Sequence, residues 1–365
     1  EIHLNELLPL CAAWSGIDDA VARDLILSAV AVQHPDGSLP RRVRSDGFAP
    51  DTHAPWPLIA VAADLAAGDS PHPDFVATVV PALERHLEWA LAHHDPGGTG
   101  RPRWRSREES LLPDVWEAGL ITVDLTAMLL AEIDALLSLA SRGGMSGSAE
   151  VRFRPKLRLY ERTLEDLLWD PAESAYRDRD ETGAPIGRVT LSPFMPLLFR
   201  RLPGDVRGPL QARLLSGSLP GAAGGLPLWE RWPDDPADPP VPAIHQSILW
   251  AALRNGHGGA PVDRYRTGVL DRLGGELDRT GRLPEDLGRT APAGIPASQA
   301  GSSAMAAAVA AAMLRPTGSP RVEPGCVASW MERHRRGFVA TLAGAVTLAL
   351  IGIGAFSLQD RKSVV

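Results

Sequence analysis

The chain has 365 residues, with 44 acidic against 37 basic side chains, a formal net charge of -7 and 44% hydrophobic residues. That length is enough for one large assembly or two ordinary domains, and the lack of a basic block or basic–aromatic stripe away from the C-terminus argues against a nucleic-acid partner. Two isolated cysteines, Cys11 and Cys326, argue against a disulfide framework or a structural thiolate metal site.

The chain opens directly on EIHLNELLPL, without a signal-peptide pattern, and reads as a processed product or a fragment. Helical periodicity then recurs almost throughout, predicting helices over 3–14, 18–33, 55–67, 73–93, 122–142, 158–169, 191–202, 207–216, 242–256, 261–278 and 295–314. Strand-like alternation is scarce, so the expected class is all-α. In 122–142 the residues Leu125, Met128, Leu129, Ile133, Leu136, Leu137 and Ala140 form a broad apolar stripe, which leaves Asp124, Glu132 and Asp134 outside it or at an end.

Short connections read as turns, whereas QHPDGSLPRRVRSDGFAPDTHAP and PGGTGRPRWRSREESLLPDVWEAG are long and rich in Gly, Pro, Arg and Asp. Long ordered loops usually serve a function. A toroid of helical hairpins gathers such loops on one face around a cavity. Trp56, Trp104, Trp116, Trp169, Trp229, Trp232 and Trp250 lie in or beside loops. Tryptophan platforms among carboxylates and arginines suit sugars, whose ring faces are weakly apolar and whose rims are hydroxylated. The adjacent His93 and His94 lack the ligand spacing of a zinc motif, so no metal is expected.

At the far end, residues 337–358, GFVATLAGAVTLALIGIGAFSL, carry no charge over 22 residues, enough at 1.5 Å per residue to cross a hydrocarbon layer of about 30 Å. They are read as a transmembrane helix, with a buried final helix as the alternative. The domain expectation is therefore 1–316 as the helical domain, 317–336 as a linker with a basic end, 337–358 as the apolar helix and 359–365 as a polar tail. Localisation is read as cytoplasmic, or membrane-anchored through 337–358 with the main domain on the cytoplasmic side.

QHPDGSLP at 33–40, APWPLIAVAADL at 54–65, VDLTAMLLAEIDALLSLA at 123–140, LLWDPAESAYRDRDETG at 167–183 and SPFMPLLFRRLP at 192–203 occur in an order and spacing that resemble the (α/α)6 glycoside hydrolases. That group includes mannosylglycerate and glucosylglycerate hydrolases, processing alpha-glucosidase I and trehalase-like enzymes. The resemblance covers about residues 5–314 and implies six concentric helical hairpins, no cofactor and a small carbohydrate or glycoside as ligand. It places the 167–183 turn close to the catalytic face, where Asp170, Tyr176, Asp178, Arg179 and Asp180 serve the scaffold, with direct sugar contact as the alternative.

The general acid of these enzymes is an Asp in a motif like W-E-S-G-x-D-N-S-P-R. Laying Trp104 and Ser106 of WRSREESLLPDVWE on it puts Glu109 at the acid position and Ser110 at the Asn, while Arg105 and Arg107 replace Glu and Gly. Asp114 and Glu117 are substitutes only in a remodelled loop. Glu285 in GRLPEDLGRTAPAG, with Asp286 beside it, is the nearest counterpart of the second carboxylate. The family's W-R-G-P-x-W pattern is reduced to PPVPAIHQSILWAALRNGH, in which His245 and Gln246 are left to donate to a sugar hydroxyl. Asp51 beside Trp56 is a further pocket residue, or a helix cap.

The implied function is inverting hydrolysis of small α-linked glucosides or mannosides by paired carboxylates. The weakened active-site motifs leave open whether the protein is an enzyme at all. The alternative is a noncatalytic carbohydrate-binding or structural descendant of the same fold.

Overall fold

The computed structural model describes residues 2–15, 18–43, 55–69, 72–187, 190–215, 243–254 and 260–280. Helices dominate them. In chain order they are α1 (Leu7–Trp14), α2 (Asp19–Ala31), α3 (Ile59–Ala67), α4 (Pro73–His94), α5 (Val123–Arg142), α6 (Ser146–Arg162), α7 (Gly204–Leu215), α8 (Ala243–Arg254) and α9 (Ala260–Thr280). Two antiparallel ladders of two-residue strands complete the description. In one, β1 (Ile2–His3) pairs with β2 (Arg42–Val43); in the other, β3 (Trp169–Asp170) pairs with β4 (Ala175–Tyr176).

Local chemistry sets the helix ends. Asp18 caps α2 by accepting the Ala20 amide at 3.0 Å, and α4 begins on Pro73, whose missing N–H costs nothing in a first turn. The QHPDGSLP turn docks on α4 because Gly37 has φ 93° and packs its backbone against Arg85, where a Cβ would sit 2.4 Å from the Arg85 carbonyl oxygen. Gln33 Nε2 then donates to the Gly37 and Ala82 carbonyls at 3.0 and 2.8 Å, fastening the turn.

At the centre lies α5, buried on every side and packed against α3, α4, α6 and the 3-10 segment Ser192–Leu198. Asp124 lies at its start, as expected, whereas Glu132 and Asp134 do not face outward: the three are 2%, 1% and 4% exposed. Each is partnered, as buried carboxyls must be. Glu132 accepts the amides of Ala60 and Val61 at 2.7 and 3.2 Å, closing the start of α3, which has no side-chain cap of its own. Asp134 is bound by Arg201 Nε at 2.7 Å and Arg200 Nε at 3.4 Å.

The WDPAESAYRDRDETG segment resolves into a chain of local bonds. Asp170 accepts the Ala172 and Glu173 amides at 3.0 and 3.4 Å, forming an Asx-type turn. Ser174 takes the left-handed conformation at φ 48°, and Tyr176 meets Trp169 edge-on at 4.9 Å. Asp178 reaches across to accept the Val123 amide at 2.7 Å, capping the central helix α5 from outside. Arg179 Nε donates to the Leu167 carbonyl at 2.9 Å, while Asp180 accepts from Thr182 N, Thr182 Oγ1 and Ala184 N at 2.8, 2.7 and 2.9 Å. The turn thus bonds the start of α5 through Asp178.

Three sequence expectations change. The helix expected at 158–169 begins at Ser146 and ends in a π turn over Thr163–Leu168, and 191–202 is a 3-10 segment over Ser192–Leu198. The expected transmembrane helix, with the membrane attachment and membrane-anchored localisation drawn from it, is not among the described helices, none of which is long and apolar enough to cross a membrane. Residues 337–358 themselves, like 295–314, the 317–336 linker and the 359–365 tail, lie outside the described residues.

Candidate functional site

The last turn of α4 and the loop after it build one polar cluster. Along one face of α4 the rings of His86, Trp89 and His93 stack, with centroids 6.0 and 4.7 Å apart. Trp89 thereby fixes the plane of His93. After the helix, Asp95 accepts the Thr99 amide, the Gly100 amide and the Tyr160 hydroxyl at 3.0, 2.7 and 3.1 Å. Those bonds turn the loop back on α4, so that the Arg103 amide donates to the His94 carbonyl at 2.9 Å.

The returning loop brings Trp104 and Glu109 to the helix end. Trp104 lies edge-on to His94 at 5.4 Å and donates its Nε1–H to Asp124 at 3.1 Å. Both Glu109 oxygens face His93 Nε2, at 3.2 and 3.1 Å, and Glu109 is 3% exposed. Its backbone carbonyl accepts the Trp56 Nε1–H at 3.1 Å. Two residues on, the Leu111 carbonyl accepts from His245 Nε2 at 2.8 Å, and His245 lies edge-on to Trp56 at 5.6 Å.

Four residues singled out from sequence, Trp56, Trp104, Glu109 and His245, therefore share one hydrogen-bonded neighbourhood. Their tryptophan rings are buried within it rather than presented as open platforms. Gln246 is buried on α8, where its Oε1 accepts the Tyr265 hydroxyl at 2.9 Å. Asp114 and Glu117 are exposed, and Asp114 is paired with Arg107 at 2.7 Å. Asp51, Glu285, Asp286, Trp229 and Trp232 lie outside the described residues.

A second chain of bonds joins this neighbourhood to the 167–183 turn. From Trp104 it runs to Asp124, whose amide donates to Ser192 Oγ at 3.0 Å; that hydroxyl donates to Asp178 at 2.7 Å. Burial raises the Asp124 carboxyl, and burial plus the neighbouring Asp124 charge raises Asp178. The turn and the loop that carries Trp104 thus bear on the same start of α5.

His94, like His86 on the same helix, has a buried ring nitrogen without a hydrogen-bond partner. Its Nδ1 faces the Arg103 carbonyl at 3.3 Å, while its buried Nε2 meets no hydrogen-bond partner. Burial first, and then the neighbouring His93, lowers its pKa to about 4. One ligand atom each from His93, His94 and Glu109 lies within 4.8 Å of the other two. Sequence spacing hides this set, since the third member arrives only through the loop that Asp95 folds back. The wall at His94 continues into a cleft of about 540 Å³ lined also by Arg101, Arg103 and Arg105.

The model of the mannosylglycerate hydrolase MGH1-like glycoside hydrolase domain matches residues 113–232. No curated protein matches the chain by sequence. Among solved structures, a GH63 mannosylglycerate hydrolase from Thermus thermophilus, in complex with Tris and D-glycerate, superposes with a TM-score of 0.64 at 18% identity, covering 85% of this chain and 92% of that one. The same enzyme in complex with glucose gives 0.64 at 19% identity over the same shares. Neutral trehalase from Saccharomyces cerevisiae gives 0.63 at 13% identity, over 91% of this chain and 73% of that one. The protein has the MGH1-like, six-hairpin glycosidase fold of the GH63 mannosylglycerate hydrolases.

Proposed function

We propose that the protein hydrolyses small α-linked glucosides or mannosides with inversion, Glu109 acting as the general acid and Glu285 as the base. The observation that carries this reading is the placement of Glu109. The residue at the acid position of the motif is a buried carboxylate, held from its side chain by His93 and from its backbone by Trp56. Such double anchoring is what proton delivery to one glycosidic oxygen requires, because a displacement of about 1 Å is enough to cost about 100-fold in rate.

In this mechanism Glu109 gives its proton to the leaving oxygen as the bond to the anomeric carbon breaks. Water attacks that carbon from the opposite face and yields its proton to the second carboxylate, leaving a free alcohol and a sugar of inverted configuration. Inversion leaves roughly 6.5–9.5 Å between the two carboxyl groups for the water. No cofactor enters.

The burial of Glu109 favours one other reading, a noncatalytic carbohydrate-binding descendant of the fold, since its side chain is 4% exposed and already bonded to His93. Hydrolysis of a panel of α-glucosides and α-mannosides, including mannosylglycerate, glucosylglycerate and trehalose, separates the two. Turnover lost in folded Glu109→Gln and Glu285→Gln supports the enzyme; a well-folded wild type inert on the whole panel supports the descendant.

A further inference from the structure

We infer that His93, His94 and Glu109 form a binding site for a divalent transition metal of the zinc type, at the C-terminal end of α4. Two imidazoles and one carboxylate make up a familiar three-ligand set that leaves a fourth position open. Mg²⁺ and Ca²⁺, which take oxygen ligands, do not suit it.

Geometry carries the inference. With metal bonds of about 2.0–2.1 Å, neighbouring tetrahedral ligands stand about 3.3 Å apart. Two of the donors already stand close to that, His93 Nε2 lying 3.2 and 3.1 Å from the Glu109 oxygens. The third is within 4.8 Å, so small side-chain rotations close the set. His94 supplies the independent sign: its Nδ1–H donates to the Arg103 carbonyl, which fixes the tautomer and leaves the Nε2 lone pair buried and unpartnered. Metal-ligating histidines are oriented in this way by a carbonyl or carboxylate on the other ring nitrogen. The carbonyl end of α4, where His93 and His94 lie, also favours positive charge.

Binding at this site needs no catalytic role for Glu109. Where Glu109 does act as the acid, a bound metal occupies its oxygens and prevents proton delivery. Metal would then inhibit the enzyme, and its removal would release the acid.

The test is titration of the chelator-stripped full-length chain with Co²⁺, followed by its visible absorption, with displacement by Zn²⁺. The expected result is one Co²⁺ per chain, with the intense band of a four-coordinate site. His94→Gln, and separately Glu109→Gln, should each weaken binding by at least about tenfold, the lower end of what even outer-shell changes cost, with unchanged circular dichroism. Should one variant fail to fold, the other decides. Absence of a stoichiometric cobalt band in the wild type, or equal affinity in a folded variant, overturns the inference. Hydrolysis in metal-free protein is read separately, so an inert enzyme and a metal-free site are told apart.

Discussion

The Glu132 carboxylate of α5 accepts the Ala60 amide of α3 at 2.7 Å, joining residues 72 positions apart. With Val61 as a second donor, it satisfies two orphan amides of α3 inside the core. Glu132→Ala leaves the buried Ala60 donor and the part-buried Val61 donor unpaired; at about 1–3 kcal/mol for the first and less for the second, a loss of about 2–4 kcal/mol in urea-derived stability is expected.

The same carboxyl gives a pH signature. Burial raises Glu132 from 4.5 to about 7, against the lowering effect of its amide donors. The folded state therefore keeps a proton that the unfolded chain releases. Its contribution is complete below 4.5 and is lost as pH rises through about 7. Glu132→Gln should flatten the fall in unfolding free energy between pH 5 and pH 8 relative to wild type; an unchanged slope would contradict the assignment.

Asp178 caps α5 from the distant turn, so Asp178→Ala should cost about 1–2 kcal/mol, the range of a lost N-cap. Asp178→Asn keeps an acceptor for the Val123 amide and should cost less. Because burial and the Asp124 charge raise this carboxyl, its contribution too is lost as pH rises above the ordinary carboxylate range. The Asn variant should therefore gain on wild type as pH rises.

Elsewhere in the turn the effects should be small and confined to stability. Asp170→Ala removes an exposed Asx turn and should cost about 0.5–1 kcal/mol. Tyr176→Phe retains the ring on Trp169 and should stay within about 0.5 kcal/mol. Neither should change hydrolytic rate; a large loss of rate in either would place the turn in the reacting site.

The sequence revealed much of this scaffold for a physical reason. Helices such as α4 and α5 carry long periodic apolar patterns, and the period survives whatever packs against them. The start of α6 escaped because SGSAEVRFRPKL is polar and contains Pro155, which reads as a break although the helix continues through it. Periodicity also misplaced Glu132 and Asp134: a helix buried all round has no solvent face, so its polar residues find partners on other elements. At the candidate site, the motif singled out Glu109, which the structure places beside His93. The nearness of His93 and His94 was not legible, because it depends on a loop folded back by Asp95, a non-local event without a periodic signal.

Proton donation by Glu109 is tested most directly by comparing leaving groups. In Glu109→Gln, turnover of mannosylglycerate-type and trehalose-type substrates should collapse. α-Glycosyl fluorides, whose departing fluoride needs little protonation, should lose far less, and the protein should still melt as wild type does. General-acid catalysis of this kind is worth about 10²–10⁴-fold, which sets the expected gap between the two substrate types. Equal losses on both, or full activity of the variant on ordinary glycosides, would contradict the role given to Glu109.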